Sequence, residues 1–207
     1  MSRFSMKIVA ALVAVAATPL APSFAQTDAA ITEQSRIDAA KSFAQKLTED
    51  AATALNNEGA SESEKLAAFQ VILSEGLALD TIGKFMLGDA RKTMTPEQLA
   101  RYDTVFPPYI TRQYAEQFIG IAEQSLTITD AKALGRRDVI VRSQIERKDG
   151  SLVNVDWRVR QLRSGDLKAI DIIVSGVSIM LVKREEFTSF IALNSVDALL
   201  DQLESEG

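Results

Sequence analysis

The sequence predicts an α+β domain, with helices packed on one face of a curved, mainly antiparallel sheet. Three observations carry that reading. Between Val153 and Ser175, apolar and polar side chains alternate with a period of two, as strands with one dry and one wet face require. From Ile37 to Ile121 and again after Phe187, apolar residues recur at three- and four-residue spacing, as amphipathic helices require. Asp149-Gly150 and Ser164-Gly165 separate the period-two runs as hairpin turns, so the last three strands should form an antiparallel meander.

The chain starts with a segment of another kind. Arg3 and Lys7 precede an apolar run from Ile8 to Ala17, Pro19 and Pro22 break it, and Ser23-Phe24-Ala25 supplies small residues where a signal peptidase cuts. About ten apolar residues are too few to span a bilayer, which needs about 20. Residues 1–25 are therefore expected to be a cleaved secretory signal peptide, and residues 26–207 a single secreted domain. No cysteine is present for lipid attachment or for a disulfide, so stability must come from packing.

Ile37, Ala40, Ala44, Leu47, Ala51 and Leu55 mark a first helix that ends near Asn56-Asn57. Ser61 and Glu64 form a capping box for a second, carrying Leu66, Phe69, Ile72 and Leu73, with Gly76 as its end. Asp80 is expected to cap a short third helix with Ile82, Phe85, Met86 and Leu87, stopped by Gly88. Thr95-Pro96-Glu97-Gln98 opens a fourth, which Pro107-Pro108 should kink or interrupt for lack of two backbone donors. Strands follow at about 126–132, 138–147, 153–163 and 167–175. In the third, Val155, Trp157 and Val159 share a face, with Asp156, Arg158 and Arg160 opposite. In the fourth, Ile170, Ile172 and Val174 repeat the apolar parity, and Asp171 falls on the wet side. Helix returns through Phe187, Phe190 and Ile191, then Val196, Leu199, Leu200 and Leu203.

Composition narrows the function. Histidine and cysteine are both absent, which removes the usual nucleophile systems and nearly all zinc sites. Gly176-Val177-Ser178 starts like a nucleophile elbow, but Met180 stands where the second glycine belongs. No glycine loop for phosphate exists, so no catalytic residue, metal or cofactor is predicted. The full chain carries 23 basic and 28 acidic side chains, a charge of −5, and loss of the leader's two basic residues takes it to −7. Nucleic acid is a poor partner for such a chain, and anionic membranes should repel it unless its basic residues cluster.

The stripe Phe106, Tyr109, Ile110, Tyr114 and Phe118 is, on spacing alone, more often core than ligand wall. Trp157 among valines likewise suits packing. Periodicity by itself ends at an exported α+β domain without catalytic side chains.

The residues also resemble a family. Asp80-Thr81-Ile82-Gly83-Lys84-Phe85-Met86-Leu87-Gly88, Thr95-Pro96-Glu97-Gln98, Phe106 and Tyr114 are similar to the MlaC or toluene-tolerance family of periplasmic phospholipid-binding proteins. So are Val155-Asp156-Trp157-Arg158-Val159, the stretch Asp171 to Ser178, and Arg184-Glu185-Glu186-Phe187. The resemblance spans about Ala39 to Leu203, although Asp89-Ala90 and Pro107-Pro108 depart from the pattern. It implies a non-enzymatic carrier with a lipid-sized apolar cavity between sheet and helices, maintaining outer-membrane lipid asymmetry. The implied partners are a phospholipid, an inner-membrane ABC transporter complex and an outer-membrane lipoprotein complex, touched transiently.

Chemistry then suggests the lipid-binding residues. Phe85 and Met86 offer an adaptable wall, and Tyr109 and Tyr114 combine rings with hydroxyls for a polar mouth. Phe106, Ile110 and Phe118 continue that wall. Val141, Val155, Trp157, Val159, Ile170 and Ile172 supply the dry sheet face, and Val177 and Met180 close one end. Arg184 suits a phosphate or, more commonly, a structural ion pair. Two other cargo or role readings stay open, a hopanoid-like lipid and an adaptor without a cavity. A hydrolase or isomerase would need Asp156, Asp171 or a tyrosine as acid or base inside the cavity.

Overall fold

The computed structural model describes residues 24–118, 126–147 and 149–207, with side chains from Glu33 onward and none for 116–118. The leader expectation lies almost wholly outside the described residues, as does the Phe118 side chain. Six helices and a five-stranded open sheet make up the described chain: α1 (Phe24–Leu55), α2 (Glu62–Gly76), α3 (Leu79–Leu87), α4 (Pro96–Phe118), β1 (Leu126–Leu134), β2 (Asp138–Glu146), β3 (Leu152–Gln161), β4 (Leu167–Val174), β5 (Val177–Ser178), α5 (Ile179–Leu193) and α6 (Val196–Glu206). The strands pair antiparallel in the order β1-β2-β3-β4-β5, so the meander expected of three strands takes in all five.

The caps explain where helices begin. Ser61 and Glu64 make the reciprocal box at α2, and the Thr95 and Gln98 side chains each bond the other's backbone amide, at 3.2 and 3.0 Å. α3 corrects the expectation for its start. Its cap is Ala78, whose amide donates to the Ala169 carbonyl on β4, and Asp80 lies within the first turn instead. Tertiary pairing with the sheet edge fixes this helix start in place of a side-chain cap. Gly88 ends the helix with φ 53°, and a short 3-10 turn follows.

The expected break at Pro107-Pro108 is not there. α4 runs unbroken through both prolines. Loss of the two amide donors leaves the Asp103 and Thr104 carbonyls without their usual helical partners, and one turn later the Thr111 hydroxyl adds bonds to the Pro107 and Pro108 carbonyls, at 2.8 and 3.1 Å. Burial supplies the rest, since Tyr102, Phe106, Tyr109 and Ile110 anchor the helix on either side of the prolines.

β4 holds the second correction. Strict alternation puts Ile170 on the same face as Ile172 and Val174. In the ladder, however, Arg158 faces Asp171 while Val159 faces Ala169, which leaves Ile170 unpaired as a bulge. One extra residue reverses the parity beyond it, so Ala169 packs opposite Val159 and Lys168 pairs with Arg160 on the outer face. Ile170 is buried but does not belong to the main core cluster.

Candidate functional site

The site proposed from sequence rests on the inner sheet face and the helices covering it. Val139, Val141, Ile145, Val155, Trp157, Val159, Ala169 and Ile172 are buried there, and register sets Val141 against Trp157 and Trp157 against Ile172. Ala40 and Ala44 of α1 are fully buried, small enough to bring that helix close to the strands. Met86 of α3 and Phe106, Ile110 and Tyr114 of α4 join the same cluster, with Met180 and Phe187 of α5. Phe85 is half-buried at its margin. Val177 stands apart, 56 % exposed at the tip of the sheet.

Very little polarity enters this interior. Trp157 donates its indole N–H to the Ser143 hydroxyl at 3.3 Å, and Ser143 in turn donates to the Val155 carbonyl. Both polar atoms are thereby satisfied within a dry face. Tyr102 donates to the Gly83 carbonyl at 3.1 Å and stacks on Phe106, 5.1 Å between ring centres. Tyr109 tilts against Phe187 at 6.1 Å. Burial pushes the phenol pKa values of Tyr102, Tyr109 and Tyr114 upward, so all three are neutral hydroxyls at any physiological pH.

The carboxylates lie elsewhere. Asp156 and Asp171 pair with residues of the outer rows, opposite Ile173 and Arg158. Asp156 stays half-buried, its pKa raised by burial and eased by Arg142, 4.0 Å away. Asp171 departs from the wet position read for it, being only 8 % exposed. Its carboxylate accepts from the Ser178 hydroxyl at 2.6 Å and the Met180 amide at 3.2 Å, so it holds the start of α5. Ser178 is itself the cap of α5. Sequence reading missed this role, because it is the folding back of α5 that buries the acid.

Arg184 is committed to α3 by a route other than an ion pair. Its guanidinium carbon lies 4.6 Å from the centre of the Phe85 ring, and a side chain at Gly88 would meet it at 3.2 Å. Positive charge over an aromatic face is favourable by about 0.5–1 kcal/mol where water still reaches the pair.

Among the described residues, clefts open between helices. One, of about 190 Å³, is bordered by Phe43 and Leu47 of α1 and Ile72 and Gly76 of α2. The other, of about 360 Å³, lies between Leu66 and Gln70 of α2 and Pro108, Thr111 and Arg112 of α4. Neither is bordered by any of the predicted lipid-binding residues. Among the described residues no helix is long and apolar enough to cross a membrane.

A helical layer over a dry antiparallel sheet, with Asp156 in an outer row and Asp171 bonded into the start of α5, defines an apolar-core α+β protein. The chain matches the family described as MlaC protein over residues 41–205 and belongs to that family. Its fold is shared with a phospholipid-binding protein from Ralstonia solanacearum whose structure was solved in complex with a phospholipid. That structure superimposes with a TM-score of 0.68 at 20 % identity, covering 80 % of this chain and 95 % of the other.

Proposed function

We propose that this protein is a phospholipid carrier whose acyl chains lie between the inner sheet face and α3, α4 and α5. The observation that carries the reading is the inner face itself. From Val139 to Ile172 it presents apolar side chains with the indole and Ser143 already bonded to each other, while Asp156 sits in an outer row and Asp171 is occupied by Ser178 and Met180. Family membership and the phospholipid held by the Ralstonia protein of like fold support the same cargo.

The energetics suit exchange. A diacyl lipid carries about 30 methylenes, worth roughly 24 kcal/mol against water at about 0.8 kcal/mol each. That exceeds the roughly 18–21 kcal/mol at which non-covalent affinity saturates. A carrier avoids the demand by matching the bilayer, so that loading is nearly neutral and direction is set by its partners. In this reading acyl chains enter between the helical layer and the sheet. Phe85, Met86, Phe106, Ile110, Tyr114, Phe118, Val141, Val155, Trp157, Val159, Ile172 and Met180 are the proposed contacts, with Tyr109 toward the mouth and Val177 and the bulged Ile170 at the margins.

In this reading residues 1–25 are removed on export. The mature protein then shuttles in the periplasm between an outer-membrane lipoprotein complex and an inner-membrane ABC transporter complex, with no chemistry of its own. Incubation with vesicles holding a fluorescent phospholipid, followed by separation, tests the cargo. Lipid should leave with the protein, and protein that stays empty across headgroups contradicts the proposal. Amino-terminal sequencing of the periplasmic protein checks the start near Gln26.

A further inference from the structure

The outer face gathers charge at one end of the sheet. Ladder register aligns Leu134, Asp138, Arg160 and Lys168 in one row across β1 to β4. Lys132 and Arg158 stand in the next row, and the two turns at that end add Arg136, Arg137 and Arg163. The turns are tied together, since Gln161 donates its amide to the Arg137 carbonyl. Arg36 of α1 holds the first turn by donating to the Gly135 and Arg136 carbonyls.

Eight basic side chains, Arg36 among them, thus meet four acids, Asp138, Asp166, Glu75 and Asp171, the last opposite Arg158 in the second row. Asp138 is saturated by Arg158 and Arg160, at 2.6–2.9 Å. The Ser164 hydroxyl donates to Asp166, and Glu75 offers Lys168 its backbone carbonyl. Arg136, Arg137 and Arg163 are exposed, with no carboxylate partner among the described residues. The end is therefore +4 in a chain of −5, which leaves −9 for everything else.

We propose that this end of the sheet is a docking surface for anionic phospholipid membranes. Four strands set about 4.8 Å apart spread the charges over a shelf about 14 Å wide, matched to a plane of headgroups more than to one acidic side chain. Guanidinium forks suit phosphate oxygens, and six of the eight groups are arginines. Leu134, 48 % exposed in the same row, gives the surface an apolar tip. Repulsion of the acidic remainder turns this end toward the bilayer. An acidic chain can thus meet an anionic membrane in one orientation. The inference is independent of where cargo sits.

Cosedimentation of the full mature protein tests it, with vesicles of phosphatidylglycerol and phosphatidylcholine against phosphatidylcholine alone. Wild type should bind the anionic vesicles at low salt and release them as salt rises. Replacing Arg136, Arg137 and Arg163 together by Gln should lower partitioning about a hundredfold, near fivefold per charge. Replacing Lys41, Lys84 and Arg91 together by Gln makes the same change of net charge elsewhere and should leave most binding intact. Failure of wild type to bind at low salt overturns the proposal, as does equal loss in the two triple variants. Binding to polyglutamate but to no vesicle also overturns it and assigns the end to an acidic protein. Native mass spectrometry of the same samples separates this from lipid loading, because an empty protein that still binds vesicles refutes only the carrier.

Discussion

Asp138→Asn removes the one carboxylate that two arginines share at the end of the sheet. Its side chain is 6 % exposed, while Arg158 and Arg160 keep 34 % and 25 % of theirs. Breaking a buried ion pair by deleting one partner costs about 3–5 kcal/mol. Water reaches both guanidiniums, and asparagine still accepts one bond, so about 2–3 kcal/mol is the expected loss here. At roughly 2–4 °C per kcal/mol for a chain of this size, the melting temperature should fall by about 4–12 °C. Urea titration followed through Trp157, the only tryptophan, gives the free energy. The pH profile carries a second signature. Burial opposes ionisation of Asp138, but the hydrogen bonds of Arg160 and Arg158 outweigh it and hold its pKa below the ordinary value. A depressed carboxyl contributes stability fully above its unfolded pKa, near 4, and loses it as pH falls through the folded value. Wild type should therefore shed this increment below about pH 4, and Asp138→Asn should lack that part of the acid slope. Unfolding free energies within about 0.5 kcal/mol of each other, with parallel acid limbs, would refute the reasoning.

Three other perturbations probe separate parts of the fold. A side chain at Gly76 would come 2.4 Å from a Leu47 methyl, so Gly76→Ala should lose about 1–2 kcal/mol in chemical denaturation despite alanine's better helix propensity. Ser175 and Gly176 both have positive φ in the turn between β4 and β5; Ser175→Asn should raise stability by about 0.5–1 kcal/mol, since asparagine tolerates that region better. Val141 faces Trp157 across the sheet, and Val141→Phe should take the room of about two methylenes of acyl chain. Lipid retention should then drop about fifteenfold, with circular dichroism unchanged, and full retention would place the chains elsewhere.

How much of this was legible in the sequence follows from what local patterns can encode. The limits of β1 to β4 came out within two residues because alternation and Gly turns are local properties, the two-residue β5 went unforeseen, and the boxes at Ser61 and Thr95 name their helix starts outright. The failures share a cause. Ala78 starts α3 because it pairs with Ala169, 91 positions away, and α4 survives two prolines because its neighbours are buried on both sides. The bulge at Ile170 is decided by pairing with β3, and no residue near it announces the slip. For the site, the sequence distinguished dry positions from wet ones but gave no sign that Asp171 would be folded under α5. The basic end escaped notice because its eight residues come from one helix, three strands and two turns and converge only in the fold.

Native mass spectrometry of the mature protein, purified from a bacterial periplasm without detergent, tests the central claim most directly. The account predicts one phospholipid bound per chain, released when the layers are opened by organic solvent. A chain mass with no lipid, in protein that also takes none from vesicles, would contradict it.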